Sequence, residues 1–241
     1  MANLSIKELT KKYHSGVVAV DRFNLEVKDG ECVAIFGLDR SGKSTLLRMI
    51  AGLEEVTEGT IVLGKRDITN ASTKDRNLSF AFRDTALDNK ETVYDNLAFG
   101  LRSRKMPESV VEIKVKAVAA LLGLADCLQR KPKTLTALQR RRIILGRTMT
   151  RDPEVYLFDE PLAGMDAELQ NLVLQDLIKA QIRLGATFVY ATEDMRQAVS
   201  LADRIVILSE GKIVQVDTPE NLFNHPVNAF VAEVMGSTVA K

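Results

Sequence analysis

At 241 residues the chain has room for one large α/β domain or two small ones, and its 46% hydrophobic and 27% charged residues are those of an ordinary globular protein. Lys plus Arg number 33 against 32 Asp plus Glu, which argues against a chain whose main partner is a polyanion, because such domains carry a basic excess. Cys32 and Cys127 lack CxxC spacing and Cys or His neighbours, so a metal site and a disulfide framework are excluded, and buried thiols in a reducing compartment are expected. The opening MANLSIKELTKKY has no apolar signal core. The apolar stretch at 115–128 is broken by Lys116 and Asp126 and is too short to span a bilayer. The expectation is a cytosolic chain that meets a membrane only through a partner.

In chain order, CVAIF (32–36) is a short apolar run that predicts a buried strand. It leads into Gly37-Leu38-Asp39-Arg40-Ser41-Gly42-Lys43-Ser44-Thr45, which fits G-x-x-x-x-G-K-S/T between a strand and a helix. Glycines at 37 and 42 let the backbone curl so that N–H groups converge on phosphate oxygens, and the helix N-terminus adds partial positive charge. Lys43 then reaches the β- and γ-phosphates, and the Ser44 hydroxyl is placed to ligate Mg²⁺. The helix KSTLLRMIAGL is stopped by Gly52, and TIVLG (60–64) reads as the next strand.

From about 85 to 150 the chain is helix-rich and strand-poor, which reads as a helical insertion into an α/β core. This region contains the helical pattern VVEIKVKAVAALLGL and the basic stretch TLTALQRRRIILGR (134–147), with three successive arginines before Ile143, Ile144 and Leu145. A threonine of that stretch is placed to cap a helix. Such a basic helix is either a nucleic-acid element or a solvated face.

EVYLF (154–158) predicts a strand ending in Asp159 and Glu160. Two carboxylates there supply the acidic half of a phosphate site: Asp159 for the Mg²⁺ shell and Glu160 to orient and deprotonate water. The helix AELQNLVLQDLIKAQIRLG places Leu169, Leu172, Val173, Leu177 and Ile178 on one face and stops at Gly185. TFVYA (187–191) and RIVILS (204–209) are further strands, with a hairpin turning at Glu210-Gly211 and a last helix capped at Thr218-Pro219-Glu220. Strands alternating with helices imply a largely parallel, covered sheet.

With these residues placed, the chain resembles the ATP-binding subunit of ABC transporters over essentially its whole length. The resemblance implies a P-loop NTPase (RecA-like) α/β core over about 1–84 and 152–235, with an N-terminal antiparallel β part. A helical subdomain is inserted over about 85–151, and residues 236–241 form a tail where some importer ATPases continue into a regulatory β-domain. It implies ATP and Mg²⁺ as ligands, with Tyr13 stacked on adenine. A second ABC ATPase subunit closes the site head to tail, and integral membrane permease subunits dock near 92–102. No nucleic acid is implied, and the chain is placed in the cytoplasm on the inner face of the membrane. Asp166, in LAGMDAEL (162–169), falls in the loop that crosses to the partner, and 201–223 is similar to the family's C-terminal hairpin and helix. The resemblance is to the maltose, polyamine, sulfate and iron importers. Soluble family members that act on ribosomes or DNA are disfavoured, because they carry two cassettes or a coiled-coil insertion.

The family's LSGGQ signature falls on Leu135-Thr136-Ala137-Leu138-Gln139, followed by Arg140, Arg142, Gly146 and Arg147, while Arg141 is expected on a solvated face. Three motifs depart from the family pattern around the γ-phosphate, at four positions. Ala137 and Leu138 replace two glycines, Arg83 replaces a glutamine, and Glu193 replaces a histidine. Arg83 and Glu193, of opposite charge, are expected to pair. The Walker-type groups are intact, so Mg-ATP binding is expected with slow or absent turnover. The expected function is an importer ATPase subunit, and the alternative is a hydrolysis-deficient regulatory or structural subunit.

Overall fold

The computed structural model describes residues 3–82 and 85–239. Its elements, in chain order, are β1 (Leu4–Lys12), β2 (Val18–Val27), β3 (Cys32–Phe36), α1 (Lys43–Ala51), β4 (Glu58–Leu63), β5 (Arg66–Asp67) and β6 (Leu78–Ala81). Three helices follow, α2 (Val93–Arg102), α3 (Glu108–Leu121) and α4 (Ala137–Met149). The chain then returns to β7 (Val155–Asp159), α5 (Ala167–Leu184), β8 (Thr187–Thr192), α6 (Met195–Leu201), β9 (Arg204–Ser209), β10 (Lys212–Asp217), α7 (Pro219–Asn224) and α8 (Ala229–Val239).

Two sheets result. The first, in the order β2-β1-β4-β5, is antiparallel. The second runs β10-β9-β3-β8-β7-β6, with every neighbour parallel except the β9–β10 hairpin. Every residue of β3, β7 and β8 is buried, as a parallel strand covered on both faces requires. Alternation along these strands sorts the core. Val33, Ile35, Leu157 and Val189 pack with α1 and the antiparallel sheet. Tyr156, Phe158, Phe188 and Tyr190 face the opposite way and share one apolar cluster with the inserted helices and α5. Ala34, Phe36, Ile205 and Ile207 pack with Leu222, Val231 and Met235 of the C-terminal helices.

Local causes set the helix ends. Gly52, at φ 74°, ends α1 in the left-handed conformation. The buried Arg76 guanidinium donates to the carbonyls of Met49 and Ile50 in its last turn, at 2.7 and 2.8 Å. Asp166 caps the start of α5 and Gly185 its end. In α4, Thr136 Oγ1 accepts from the Gln139 N–H at 3.2 Å and Gln139 Oε1 accepts from the Thr136 N–H at 3.1 Å, a complete capping box.

The expected strands at 32–36, 60–64, 154–158, 187–191 and 204–209 are all present to within two residues at each end. Three details differ. Leu172 is 44% exposed, and Leu174 takes its place on the buried face of α5; in an 18-residue helix the 3.6-residue period drifts off a stripe drawn from one end. The short strand β6 was not expected from the sequence and exists because it pairs with β7 at the sheet edge. The helix capped at Thr218 is followed by a second one, α8, which continues beyond residue 235, where the sequence reading ends the domain.

Candidate functional site

Parallel strands deliver their carboxyl ends to one edge of the sheet, where α/β proteins bind ligands. Phe36 pairs with Thr192, and Asp159 pairs with Ala191. The loop after β3, the acidic pair ending β7 and Glu193 after β8 therefore emerge together.

The loop between β3 and α1 is fixed from three sides. The Gly37 N–H donates to Thr192 O at 3.3 Å, and the Gly211 N–H donates to Ser41 O at 2.9 Å. Gly42 has φ 105°, and a Cβ there would lie 2.3 Å from Ala19 O, so conformation and space both demand glycine. Lys43 is 6% exposed and crosses the loop, with Nζ donating to Gly37 O at 2.6 Å and Leu38 O at 3.2 Å. The same Nζ stands 3.4 Å from Glu160 Oε1. Ser44 Oγ donates to Asp159 Oδ1 at 2.9 Å.

Asp39, Arg40, Ser41, Gly42, Lys43, Ser44 and Thr45 line an open cleft of about 500 Å³, closed on other sides by Glu160, Glu193, Glu210 and Gly211. The remaining wall is Val17 to Ala19. Leu38 is exposed beside the loop. Tyr13 is 37% exposed under Lys11 Nζ, 5.1 Å from its ring centroid. Its N–H donates to Val17 O at 2.9 Å, so it opens the turn whose far end, not Tyr13 itself, lines the cleft.

Burial is the largest influence on Glu160 and raises its carboxyl above the usual range. Lys43 opposes this, Glu193 adds to it, and the Glu193 backbone N–H holds it back. Glu160 sits at φ 48°, a strained conformation for a non-glycine residue at a strand end.

The residues present fit a magnesium nucleotide. Ser44 and Asp159 offer two hard oxygen ligands side by side, one of them a carboxylate. That is the pattern of Mg²⁺ bound through one carboxylate and substrate phosphates. Ser41 Oγ is buried without a hydrogen-bond partner among the described residues, inside the turn where loop N–H groups gather.

Thr136 and Ala137 are exposed at the start of α4, while Leu138 and Gln139 are half-buried. Leu138 packs in part on the core of the inserted helices. Gln139 Nε2 donates to Cys127 Sγ at 3.2 Å. Gly146 lets α4 approach α2 and α3, since a Cβ would meet Leu97 Cδ2 at 2.5 Å. Arg140 Nη1 donates to Leu135 O at 2.8 Å, and Arg147 Nη1 donates to Ala86 O at 2.8 Å. Arg142 is bidentate on Asp176 at 2.6 and 3.1 Å.

The expectation of a solvated Arg141 is corrected: its Nη2 donates to Pro161 O, directly after Glu160, tying α4 to the acidic loop. Nothing local in the sequence signals that contact. Asp166 lies on the exposed start of α5, its carboxylate accepting from the Leu169 N–H at 2.9 Å. Arg83, and with it the expected pair with Glu193, lies outside the described residues. The wall residues Val17 to Ala19 and Glu210 were not singled out from sequence, because their role comes from where two hairpins end.

A phosphate-cradling loop, its lysine, and a serine–aspartate pair at the carboxyl edge of a covered parallel sheet define a P-loop nucleotide-binding core. The chain belongs to the ABC transporter family, whose model matches residues 20–163. It is 42% identical over 237 residues to the oligosaccharides import ATP-binding protein MsmX of Bacillus subtilis, covering 98% of this chain and 65% of that protein. It is 41% identical over 237 residues to the sn-glycerol-3-phosphate import ATP-binding protein UgpC of Psychromonas ingrahamii, covering 98% of this chain and 64% of that one. The chain therefore spans less than two thirds of the length of these relatives. Among solved structures, the dimeric post-hydrolysis state of the ATP-binding cassette MJ0796, bound to ADP and Pi, superposes with a TM-score of 0.75 at 27% identity, covering 89% of this chain and 98% of that one.

Proposed function

We propose that this chain is an ATP-binding subunit that couples ATP binding and hydrolysis to import of a small solute through membrane-embedded partner subunits. The observation that carries the reading is the assembly of Lys43, Ser44, Asp159 and Glu160 around one loop.

Loop N–H groups and the start of α1 attract the inner phosphates. Lys43 Nζ exchanges its carbonyl acceptors, Gly37 and Leu38, for phosphate oxygens. Ser44 and Asp159 would hold Mg²⁺, which would supply positive charge against the terminal phosphates. Glu160, whose carboxyl is raised above its usual range chiefly by burial, takes the proton of the attacking water at its carboxylate oxygen. Tyr13, beside the cleft wall at Val17, is assigned to stacking on the base.

The dimeric state of the MJ0796 cassette supports a second ABC subunit, whose α4 start and Asp166 loop complete each site. MsmX and UgpC, as import ATP-binding proteins, support a permease partner and a solute of the oligosaccharide or polyol-phosphate class. Among the described residues no helix is long and apolar enough to cross a membrane. Attachment to the inner face through the permease is the reading that the import ATP-binding relatives support. The exposed Phe99, facing Arg147 at 5.3 Å beside a cleft of about 600 Å³, supports a docking face on the inserted helices.

A second reading, binding without turnover, is favoured by one observation: Glu193 stands in the cleft beside Glu160. Steady-state ATPase with the membrane partner separates the two. Partner-stimulated turnover supports the motor, and stoichiometric nucleotide binding without turnover supports the regulator.

A further inference from the structure

We propose that Arg141 is a positioning residue for the water-activating Glu160: reaching across from α4, it clamps the turn at Glu160-Pro161 and so keeps the carboxylate beside Lys43. The inference rests on the hydrolytic reading of the cleft and goes beyond it to what holds the base in place.

Glu160 sits where the backbone resists it. Its φ is 48°, a conformation that a non-glycine residue adopts only when its surroundings enforce it. Pro161 follows, and a residue before proline is driven toward extended backbone. An unheld turn would relax that way and carry the side chain with it. The place it would leave is specific, since Glu160 Oε1 lies 3.4 Å from Lys43 Nζ with the side chain 12% exposed.

Contacts from three directions hold the turn. From the sheet, the Glu160 N–H donates to Ala191 O at 3.1 Å, and within the turn the Ala163 N–H donates to Glu160 O at 3.1 Å. From α5, Gln170 Nε2 donates to Leu162 O at 3.4 Å and to Met165 O at 3.1 Å. From α4, Arg141 Nη2 donates to the Pro161 carbonyl, the first acceptor after Glu160. That donor carries a charge, and charge-assisted hydrogen bonds are roughly twice as strong as neutral ones. It is also well anchored. Arg141 is half-buried, and the next residue, Arg142, fixes α4 to α5 through its two bonds to Asp176. Burial raises the hydroxyl of Tyr190 on β8, the Glu160 charge adds to this and the Arg141 charge opposes it, so both ends of the clamp come close to the same strand.

A misplacement on the order of 1 Å at a reacting group costs about a hundredfold in rate. Nucleotide affinity comes instead from the loop between β3 and α1, which Thr192 and Gly211 hold in place. Loss of the clamp should therefore slow hydrolysis and spare binding.

The test compares the full wild-type chain with Arg141→Met, which keeps the stem and loses the donors, and Arg141→Lys, which restores a charged donor. Each is titrated with Mg-ATP by calorimetry, assayed for single-turnover hydrolysis, and followed by hydrogen exchange and mass spectrometry without nucleotide. Arg141→Met should slow hydrolysis about tenfold or more while ATP affinity moves less than about twofold. Its amides at 159–165 should exchange about tenfold faster, with those of β3 and α1 unchanged. Arg141→Lys should recover the rate to within about threefold of the wild type. Unchanged exchange at 159–165, a full rate in Arg141→Met, or a loss of affinity equal to the loss of rate overturns the proposal. Faster exchange across the whole chain also overturns it, because Arg141 would then serve stability alone. A wild type that binds ATP and hydrolyses none counts against the hydrolytic reading, and the exchange arm still decides by itself whether Arg141 holds the turn.

Discussion

Arg142 and Asp176 join α4 to α5, and their removal has a magnitude that follows from the geometry. Arg142 Nε and Nη2 donate to the two carboxylate oxygens at 2.6 and 3.1 Å. The Asp176 side chain is 8% exposed and that of Arg142 is 22% exposed. Arg142→Met leaves a carboxylate buried without its cation, which costs about 3–5 kcal/mol in such settings. Partial access of water to the arginine side favours the lower end, about 3 kcal/mol. Set against a total stability of roughly 5–15 kcal/mol, this is a large fraction. With a urea m-value of about 2 kcal/mol/M it lowers the unfolding midpoint by about 1.5 M. The double variant Arg142→Met, Asp176→Leu removes the orphaned charge as well and should recover most of the loss, to within about 1 kcal/mol of the wild type. Urea titration of the three proteins by circular dichroism is the assay. A single-variant loss below about 1 kcal/mol, or a double variant as unstable as the single, refutes the reasoning that burial of the charge sets the cost.

Glu160→Gln should abolish hydrolysis while nucleotide binding persists, as read by single-turnover assay and calorimetry. Burial raises the Glu160 carboxyl above its ordinary value of 4.5, so the folded state holds this proton to higher pH than the unfolded chain. Stability then falls as pH climbs from 4.5 through the raised value. The Gln variant, with no such charge, should melt higher than the wild type at pH 7, and the difference should vanish in acid. Gly42→Ala should destroy nucleotide binding and cost about 1–3 kcal/mol in a denaturant titration, because its Cβ would lie 2.3 Å from Ala19 O. Leu138→Gly should lower stability by about 1 kcal/mol from helix propensity, plus the lost packing on the core. Combined with Glu193→His it should raise ATPase activity, and no gain from either single or double substitution would count against these positions as the brake on turnover.

What was legible in the sequence had local causes. The run CVAIF, the glycines at 37 and 42 and the stop at Gly52 describe a strand, a turn and a helix end within about twenty residues of each other, and all three stand where expected. Glu210-Gly211 turns the hairpin with φ 48° and 76°, a conformation that the Gly position announces. What was not legible depends on partners distant in the chain. The four residues of β6 carry too little pattern to predict a strand, and β7 makes them one. Arg141 looks like any surface arginine until α4 is placed against Pro161. Leu138, read as standing close to a phosphate held by a second subunit, also packs partly on the core of its own chain, a contact set by where α4 lies. The cleft wall from Val17 to Ala19 has no polar residue to mark it and is recruited by the packing of Ala19 O against the loop at Gly42.

The central claim is that this loop binds nucleotide phosphate through Lys43. Titration of the wild type and Lys43→Ala with ADP in the presence of Mg²⁺, followed by calorimetry, tests it most directly. One site per wild-type chain is expected, with at least a tenfold weaker site in the variant, which should stay folded but melt lower than the wild type because Glu160 loses its buried cation. Equal affinities, or no wild-type binding at millimolar nucleotide, would contradict it.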